Sequence, residues 1–159
     1  MPEPEPTAAL VPVAVTVVGC HASPGALDAL AVDGAVSFRV APDEAMLLAR
    51  PPSVDLADAA ERRLAALDPG GVAVDLTDGW AALALAGPGA RDAFSRLSAV
   101  GLPSDGFVAC DVARLPARVV AARDEVLVLV PSMVEAWFVG AARRRCPELA
   151  APATTGSSR

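Results

Sequence analysis

Apolar residues along the chain follow two patterns, short apolar runs and longer stretches with helical spacing. In Val54–Leu67 and Ala90–Val100 the apolar positions recur every three to four residues, which predicts amphipathic helices. A short helix is predicted over Gly25–Val32, and a longer one over Met133–Arg145 with Trp137 among its inward residues. The short runs predict strands; Val72–Leu76 is expected to be a buried one, and the last run is expected at the centre of its sheet. These runs are Leu10–Gly19, Ala35–Val40, Ala45–Ala49, Val72–Leu76, Trp80–Ala86, Phe107–Asp111, Ala113–Ala121 and Glu125–Val130.

Turn and break residues separate these elements. Asp78-Gly79 is predicted to close a hairpin between the strands on either side, because this dipeptide tolerates positive φ. Gly87–Gly89, with a central proline, then ends the second strand and opens a helix. Ser53 and Ser132 each precede a helical stretch, so they are predicted to cap those helices.

The sequence contains an internal repeat with an offset of 81 residues. Asp43-Glu44 aligns with Asp124-Glu125, and Leu47-Leu48 aligns with Val128-Leu129. Each copy consists of a strand, a charged turn, an apolar strand, a Pro/Ser break and a helix. The repeat predicts an α+β fold, with antiparallel-rich sheets, packed helices and an internally duplicated strand–hairpin–helix unit. Residues 10–149 are predicted to form a single domain between a disordered lead, residues 1–9, and a disordered tail, residues 150–159.

The charge balance excludes one class of partner. The formal net charge is −6 at pH 7, whereas nucleic-acid binding needs clustered positive charge. All basic residues are arginine, so the chain has no lysine for a Schiff base or a phosphate-binding loop. The initial MPEPEP lacks the positive charge of a secretory signal, and Leu10–Gly19 is too short to span a bilayer. We therefore expect a cytoplasmic protein with neither nucleic-acid nor membrane partners.

Residues that could support chemistry are few and separated. His21 is the only histidine, and together with Cys20 it lacks the further ligands that a metal site needs. Asp75 and Asp78 flank a turn, where one carboxylate could act as a general base but where turn geometry also explains both. The three cysteines are odd in number and widely spaced, which indicates free thiols, with Cys110 expected to be buried. We therefore predict no catalytic, cofactor-binding or metal-binding residue in this chain.

Large side chains and an arginine run are the candidate contacts with a partner protein. Tryptophan and arginine are the residue types that most often anchor protein interfaces. Hydrophobic residues make up 53% of the chain, which indicates a surface less polar than usual. Core packing is the alternative for at least one tryptophan, and a solvated helix end is the alternative for the arginines. The candidate contacts are Trp80, Trp137, Phe138, Arg143, Arg144 and Arg145.

Four segments between residues 38 and 145 match, in order and spacing, the motifs of a known family. They are APDEAMLLARP at Ala41–Pro51, VAVDLTDGWAALALAGPGARDAF at Val72–Phe94, FVACDVARLPARVVAA at Phe107–Ala122, and DEVLVLVPSMVEAWF at Asp124–Phe138. Together they resemble the gamma subunit of heterotetrameric sarcosine oxidase, in which a Gly-Pro-x-Ala-Arg motif opens the central helix as Gly87–Arg91 does here. That subunit is itself similar to the folate-binding aminomethyltransferase, the T-protein of glycine cleavage. Ala45 and Met133 depart from the family pattern, which has aromatic residues there.

The resemblance implies an aminomethyltransferase-like fold and the role of a small, non-catalytic subunit. Such a subunit would stabilise the larger flavoprotein subunits of a flavin- and folate-dependent amine oxidase or demethylase. FAD, FMN, NAD and tetrahydrofolate would be bound by the partner subunits, and no cofactor by this chain. Two other functions remain open: a stand-alone tetrahydrofolate-binding one-carbon transferase of the same fold, and a non-enzymatic interaction scaffold.

Overall fold

The computed structural model describes residues 8–149, which contain nine β-strands and four α-helices. The predicted tail, and residues 1–7 of the predicted lead, lie outside this range. The described residues divide into two compact units, each with its own sheet. We call Ala14–Trp80 the N-terminal unit, and residues 8–13 together with 81–149 the C-terminal unit. The single domain over residues 10–149 stays a prediction.

The order strand, helix, hairpin, helix occurs twice along the chain, with one strand added in the second copy. The strands are β1 (Ala9–Val13), β2 (Thr16–His21), β3 (Ala35–Ala41), β4 (Glu44–Ala49), β5 (Val72–Asp75), β6 (Trp80–Ala86), β7 (Gly106–Val112), β8 (Leu115–Ala121) and β9 (Glu125–Pro131). The helices are α1 (Pro24–Ala29), α2 (Leu56–Leu67), α3 (Ala90–Leu97) and α4 (Glu135–Arg145).

The N-terminal unit is a split βαβ arrangement. Its strands lie in the order β3-β4-β2-β5, and all neighbours pair antiparallel. On α2, Leu56, Ala60 and Leu64 recur every four residues and are at most 2% exposed, as an amphipathic helix requires. They share one core with Val18 and Leu47 of the central strands. The chain order βαββαβ with this strand order is the ferredoxin-like pattern.

The C-terminal unit has the same arrangement with one strand added. Its strand order is β1-β6-β9-β8-β7, and its core includes Phe94 of α3 and Phe138 of α4. The elements β6, α3, β8, β9 and α4 correspond to β2, α1, β3, β4 and α2, and β7 is the additional strand. The edge position that β5 takes in the N-terminal unit is taken here by β1, which comes from the beginning of the chain.

This correspondence confirms the duplicated strand–hairpin–helix unit and the α+β class. The second strand of each hairpin begins at Glu44 and at Glu125, which are 81 positions apart, as the sequence repeat predicts. A helix follows each hairpin, α2 in one unit and α4 in the other. The central place of β9 is also confirmed, since Val126–Val130 are buried on both faces of the sheet.

The predicted hairpin at Asp78-Gly79 is wrong. The strand before it, β5, pairs with β2, whereas the strand after it, β6, pairs with β1. The intervening residues Thr77–Gly79 form a 3₁₀ turn, and neither Asp78 nor Gly79 has a positive φ. A turn dipeptide indicates that the chain changes direction, but it does not determine which strand the next segment pairs with.

Two further local predictions are corrected. The run Leu10–Gly19 is not one strand, because β1 and β2 lie in different sheets. Neither predicted serine caps its helix, since the N-cap residues are Asp55 and Val134. Ser53 contacts β2, because its peptide N–H donates to the Thr16 hydroxyl at 2.9 Å. In both places an additional turn separates the serine from the helix, so sequence proximity alone misplaced the cap.

Candidate functional site

An open groove of ≈ 630 Å³ lies on the N-terminal unit. It is formed where the end of β5 and the following 3₁₀ turn meet the segment that precedes α2. Two carboxylates, one indole and three hydroxyls are among the groups that line it. The lining residues are Thr16, Ser53, Val54, Asp75, Leu76, Thr77, Asp78, Gly79 and Trp80.

Hydrogen bonds fix the positions of Thr77 and Asp75 in the groove. The Val17 N–H donates to the Thr77 hydroxyl at 3.0 Å, and the Thr77 N–H donates to the Asp75 carboxylate at 2.8 Å. The Thr77 hydroxyl and then its peptide N–H lower the pKa of Asp75, so this carboxylate is ionised near neutral pH. Carboxylates beside an indole suit a cationic group better than an anionic one.

An apolar strip runs along β5 towards this groove. Val72, Val74 and Leu76 are 51%, 50% and 41% exposed, and they alternate with Ala73 and Asp75. Ala73 packs against the helix-covered core, so the strip lies on the opposite face of the sheet. The prediction of a buried strand at Val72–Leu76 is therefore wrong.

The six predicted contact residues differ in their exposure. Trp137 is 50% exposed on α4 rather than inward as predicted, and Met133, four residues earlier, is 89% exposed. Phe138 is fully buried in the C-terminal core, so it is a core residue and not a surface contact. Trp80 is half-buried and lines the groove of the N-terminal unit. Arg143, Arg144 and Arg145 are all exposed in the last turn of α4.

The structure separates the residues that could form a metal or thiol site. Cys20 and His21 are neighbours on β2, where successive side chains point to opposite faces. Cys20 is buried, and burial raises its pKa to about 11, whereas the His21 ring is exposed with its Nδ1 3.7 Å from the Asp43 carboxylate. Within residues 8–149 no group of three potential ligands comes together. The two buried thiols are Cys20 and Cys146, while Cys110 is only partly buried, contrary to expectation.

The Gly-Pro-x-Ala-Arg motif has a structural role in the C-terminal unit. Gly87 has a φ of 105°, a conformation that strongly favours glycine, and its N–H donates to the Asp124 carbonyl at 3.3 Å. The Arg91 guanidinium donates to three backbone carbonyls, those of Pro103, Ser104 and Ala122, at 2.9, 2.6 and 3.1 Å. Arg91 therefore joins α3 to the loop before β7 and to the end of β8.

Replacing Arg91 with alanine is expected to lower the free energy of unfolding by about 2 kcal/mol, because three carbonyls lose a charged donor. Arg91→Lys should recover only part of this loss, since an ammonium cannot reproduce the planar arrangement of donors. Urea unfolding followed by circular dichroism measures both variants. Arg123→Ala, on the exposed turn between β8 and β9, is the control. A variant R91A as stable as the parent chain would contradict this role.

Asp68 joins the end of α2 to the start of α1. Its carboxylate accepts hydrogen bonds from the N–H groups of Ser23 at 2.7 Å and Gly70 at 3.0 Å. The Ser23 backbone bond, and then the Gly70 bond, lower the pKa of Asp68. A carboxyl whose pKa is lowered by folding stabilises the folded state above its unfolded pKa, and this contribution is lost as the pH falls through the folded value.

The stability of Asp68→Asn should therefore fall less between neutral pH and about pH 3 than that of the parent chain. At pH 7 the variant should already have the lower melting temperature. Thermal unfolding at a series of pH values tests this difference, with Asp33→Asn as an exposed control. Parallel pH profiles for D68N and the parent chain would show that the two hydrogen bonds add nothing to acid sensitivity.

Fold and site together define an α+β protein with two split βαβ units and an open acidic groove. The sequence matches no protein-family model and no curated protein. Among solved structures, a chain of heterotetrameric sarcosine oxidase from Corynebacterium sp. U-96, in complex with pyrrole 2-carboxylate, is similar with a TM-score of 0.79 and 21% identity. The similarity covers 94% of this chain and 89% of that chain. The resemblance found in the motifs is thereby confirmed for the fold.

Two other solved structures share features of this fold. Glycine cleavage system aminomethyltransferase T from Bartonella henselae has a TM-score of 0.63 and 14% identity, over 91% of this chain. This chain spans about half of that protein, 47% of its length. The regulatory subunit of aspartate kinase from Thermus thermophilus, in a ligand-free form, has a TM-score of 0.50 and 17% identity, over 87% of this chain and 95% of that chain. The fold is thus aminomethyltransferase-like.

Sequence reasoning missed the most exposed apolar residues. Val54 is 95% exposed at the groove, and Met133 is 89% exposed before α4. Both had been placed within predicted helices, although each lies in the turn that precedes one. A signal for the β5 strip was present, because valines alternate there with alanine and aspartate as in a strand with one open face. Among the described residues, no helix is long and apolar enough to span a membrane.

Proposed function

We propose that this chain is a small, gamma-like subunit of a heterotetrameric, flavin- and folate-dependent amine oxidase related to sarcosine oxidase. Its contribution is to bind and stabilise larger flavoprotein subunits rather than to carry out the chemistry itself. In this proposal FAD, FMN, NAD and tetrahydrofolate are bound by the partners. This chain would itself bind no cofactor.

One observation carries the proposal. The chain is similar over 94% of its length to a chain of a heterotetrameric sarcosine oxidase, and it covers 89% of that chain. The similarity therefore extends over nearly the whole of a subunit of an enzyme assembly, and not over one part of a larger catalytic chain. Exposed Trp137 and Met133 on the C-terminal unit supply the kind of apolar anchor that buried interfaces use.

Co-expression with the reading frames that flank the gene tests this proposal. Affinity purification through a tag on this chain should yield a complex of fixed stoichiometry in native mass spectrometry. The complex should contain larger subunits and show flavin absorbance. A chain that purifies alone and monodisperse, with no flavoprotein bound, would refute the proposal.

The likeness to aminomethyltransferase favours one alternative, a stand-alone one-carbon transferase that binds tetrahydrofolate itself. Calorimetry of the isolated chain with tetrahydrofolate distinguishes the two functions. Saturable heat with a thermal shift would support the alternative, whereas the subunit proposal predicts neither. A third function, an interaction scaffold, predicts stable complexes that lack flavin.

A further inference from the structure

The two edges of the N-terminal sheet differ in how they are protected. The edge strand β3 has a register shift in its pairing with β4, between Arg39 and Ala41. The Arg39 guanidinium pairs with the Asp28 carboxylate of α1 and donates to the carbonyls of Pro42 and Pro24 at 2.6 and 3.0 Å. An irregularity and a basic residue at an edge both oppose the addition of another strand. The other edge, β5, has the sequence Val-Ala-Val-Asp with neither device.

Backbone groups of β5 are available along its outer side. The Leu76 N–H donates to the Val17 carbonyl at 2.8 Å, so this pair occupies a hydrogen-bonded position of the ladder, although the Val17 N–H donates to the Thr77 hydroxyl. Such pairs alternate along an antiparallel ladder, and the register pairs Val74 with Gly19 and Val72 with His21 in the same way. It follows that Ala73 and Asp75 direct their N–H and C=O groups away from β2. In the part of the chain that the structure describes, no strand pairs with this side.

Side chains around this edge combine apolar area with negative charge. The strip of Val72, Val74 and Leu76 leads to the groove that Asp75 and Asp78 line together with Trp80. Ten of the nineteen acidic residues but only four of the thirteen arginines lie in Ala14–Trp80. The N-terminal unit therefore carries a net charge of −6, which equals that of the whole chain. A complementary partner segment would be basic as well as apolar.

We infer that β5 is a docking edge for an extended segment of the larger partner, in which apolar and basic residues alternate. The segment adds a strand to the sheet, its apolar side chains cover the β5 strip, and an arginine or lysine enters the groove beside Asp75, Asp78 and Trp80. Strand addition of this kind takes affinity from backbone hydrogen bonds and specificity from alternate side chains. This inference rests on the proposed function, because it supplies the surface through which part of that assembly forms.

A peptide titration of the isolated full chain tests the inference. The probe is a blocked nine-residue peptide of alternating valine and arginine, and its twin with glutamate in place of arginine is the charge control. In ¹H–¹⁵N spectra, the amide shifts caused by the basic peptide should be confined to β5 and the groove. The amides of Ala73 and Asp75 should become slow to exchange, whereas the glutamate peptide should cause neither effect.

Two variants and a matched control make the test specific. Ala73→Pro removes an outward donor without removing a bond to β2, and Val74→Asp places a charge in the strip; each should weaken peptide binding by about tenfold or more. Val36→Asp is the control, because Val36 is 57% exposed on the opposite edge of the same sheet. Binding by V36D should be unchanged, and all three variants should keep the circular dichroism spectrum of the parent chain.

Several results would overturn the inference. They are no amide shift at millimolar peptide, equal binding of the glutamate twin, shifts without slower exchange at Ala73 and Asp75, and an isolated chain that already dimerises through β5. If larger subunits co-purify equally with the parent chain, A73P and V74D, the assembly stands and the docking edge is wrong. If no larger subunit co-purifies at all, the proposed function fails, while the peptide titration still decides whether β5 accepts a strand.

Discussion

Replacing Phe138 with alanine is expected to lower the free energy of unfolding by about 3–5 kcal/mol. The side chain is completely buried in the C-terminal core. Its truncation removes a large apolar group and leaves a cavity that neighbouring side chains fill only in part. This loss is a large fraction of the stability of a typical domain, so the variant should show a much lower urea midpoint, measured by circular dichroism.

Phe138→Leu provides the matched control for this effect. Because leucine keeps most of the apolar volume, F138L should lose clearly less stability than F138A. An F138A variant with the urea midpoint of the parent chain would mean that this side chain does not pack in the core. Such a result would also contradict the orientation of α4, in which Phe138 faces the sheet.

Replacing Trp137 with alanine, unlike replacing Phe138, should have a small effect on folding stability and a large effect on binding to the larger subunits. Trp137 is half-exposed, one position before the buried phenylalanine, and Met133 lies four residues earlier, in the turn before α4. If this surface anchors the partner, removing the indole should cost about 2 kcal/mol of binding, or roughly 30-fold in affinity. Surface plasmon resonance against the purified larger subunits measures that change.

The control for Trp137 is Val100→Ala, which truncates another exposed apolar residue of the same unit, 41% exposed. V100A should bind like the parent chain, and both variants should keep its free energy of unfolding within about 1 kcal/mol. A W137A variant with undiminished affinity would exclude the α4 surface from the interface. A W137A variant that unfolds would instead show that the indole is a core element.

Much of the fold could be predicted from the sequence because its local signals are consistent. The aligned Asp-Glu turns correctly predicted the two hairpins, since the same spacing of charge and apolar runs occurs twice. Helix α2 was correctly predicted from the four-residue spacing of Leu56, Ala60 and Leu64. Strand pairing could not be predicted in the same way, because it depends on contacts between distant segments. The false hairpin at Asp78-Gly79 arose for this reason.

The candidate surfaces were harder to predict than the fold. Trp137 and Phe138 are adjacent on one helix, and apolar spacing alone placed both inward, but only Phe138 is buried. The buried face of α4 is therefore narrower than the sequence indicated. Apolar spacing shows which residues lie near this face, but it cannot show which of two adjacent large side chains packs in the core. Val72–Leu76 was treated as a buried run because valine is abundant there, although the alternation with Ala73 and Asp75 already indicated one open face. The structural role of Arg91 depends on loops that the sequence could not place.

The most direct test of the proposed function compares the larger subunits with and without this chain. The flanking reading frames should be expressed with the intact gene, with the gene deleted, and with the W137A variant. Thermal unfolding of the flavoprotein and its turnover of methylated amines are then measured on each preparation. We predict that the flavoprotein melts at a lower temperature and is less active when the chain is missing, and that adding the purified chain restores both. Larger subunits that are equally stable and active without it, or an isolated chain that turns over a methylated amine by itself, would contradict the proposed role.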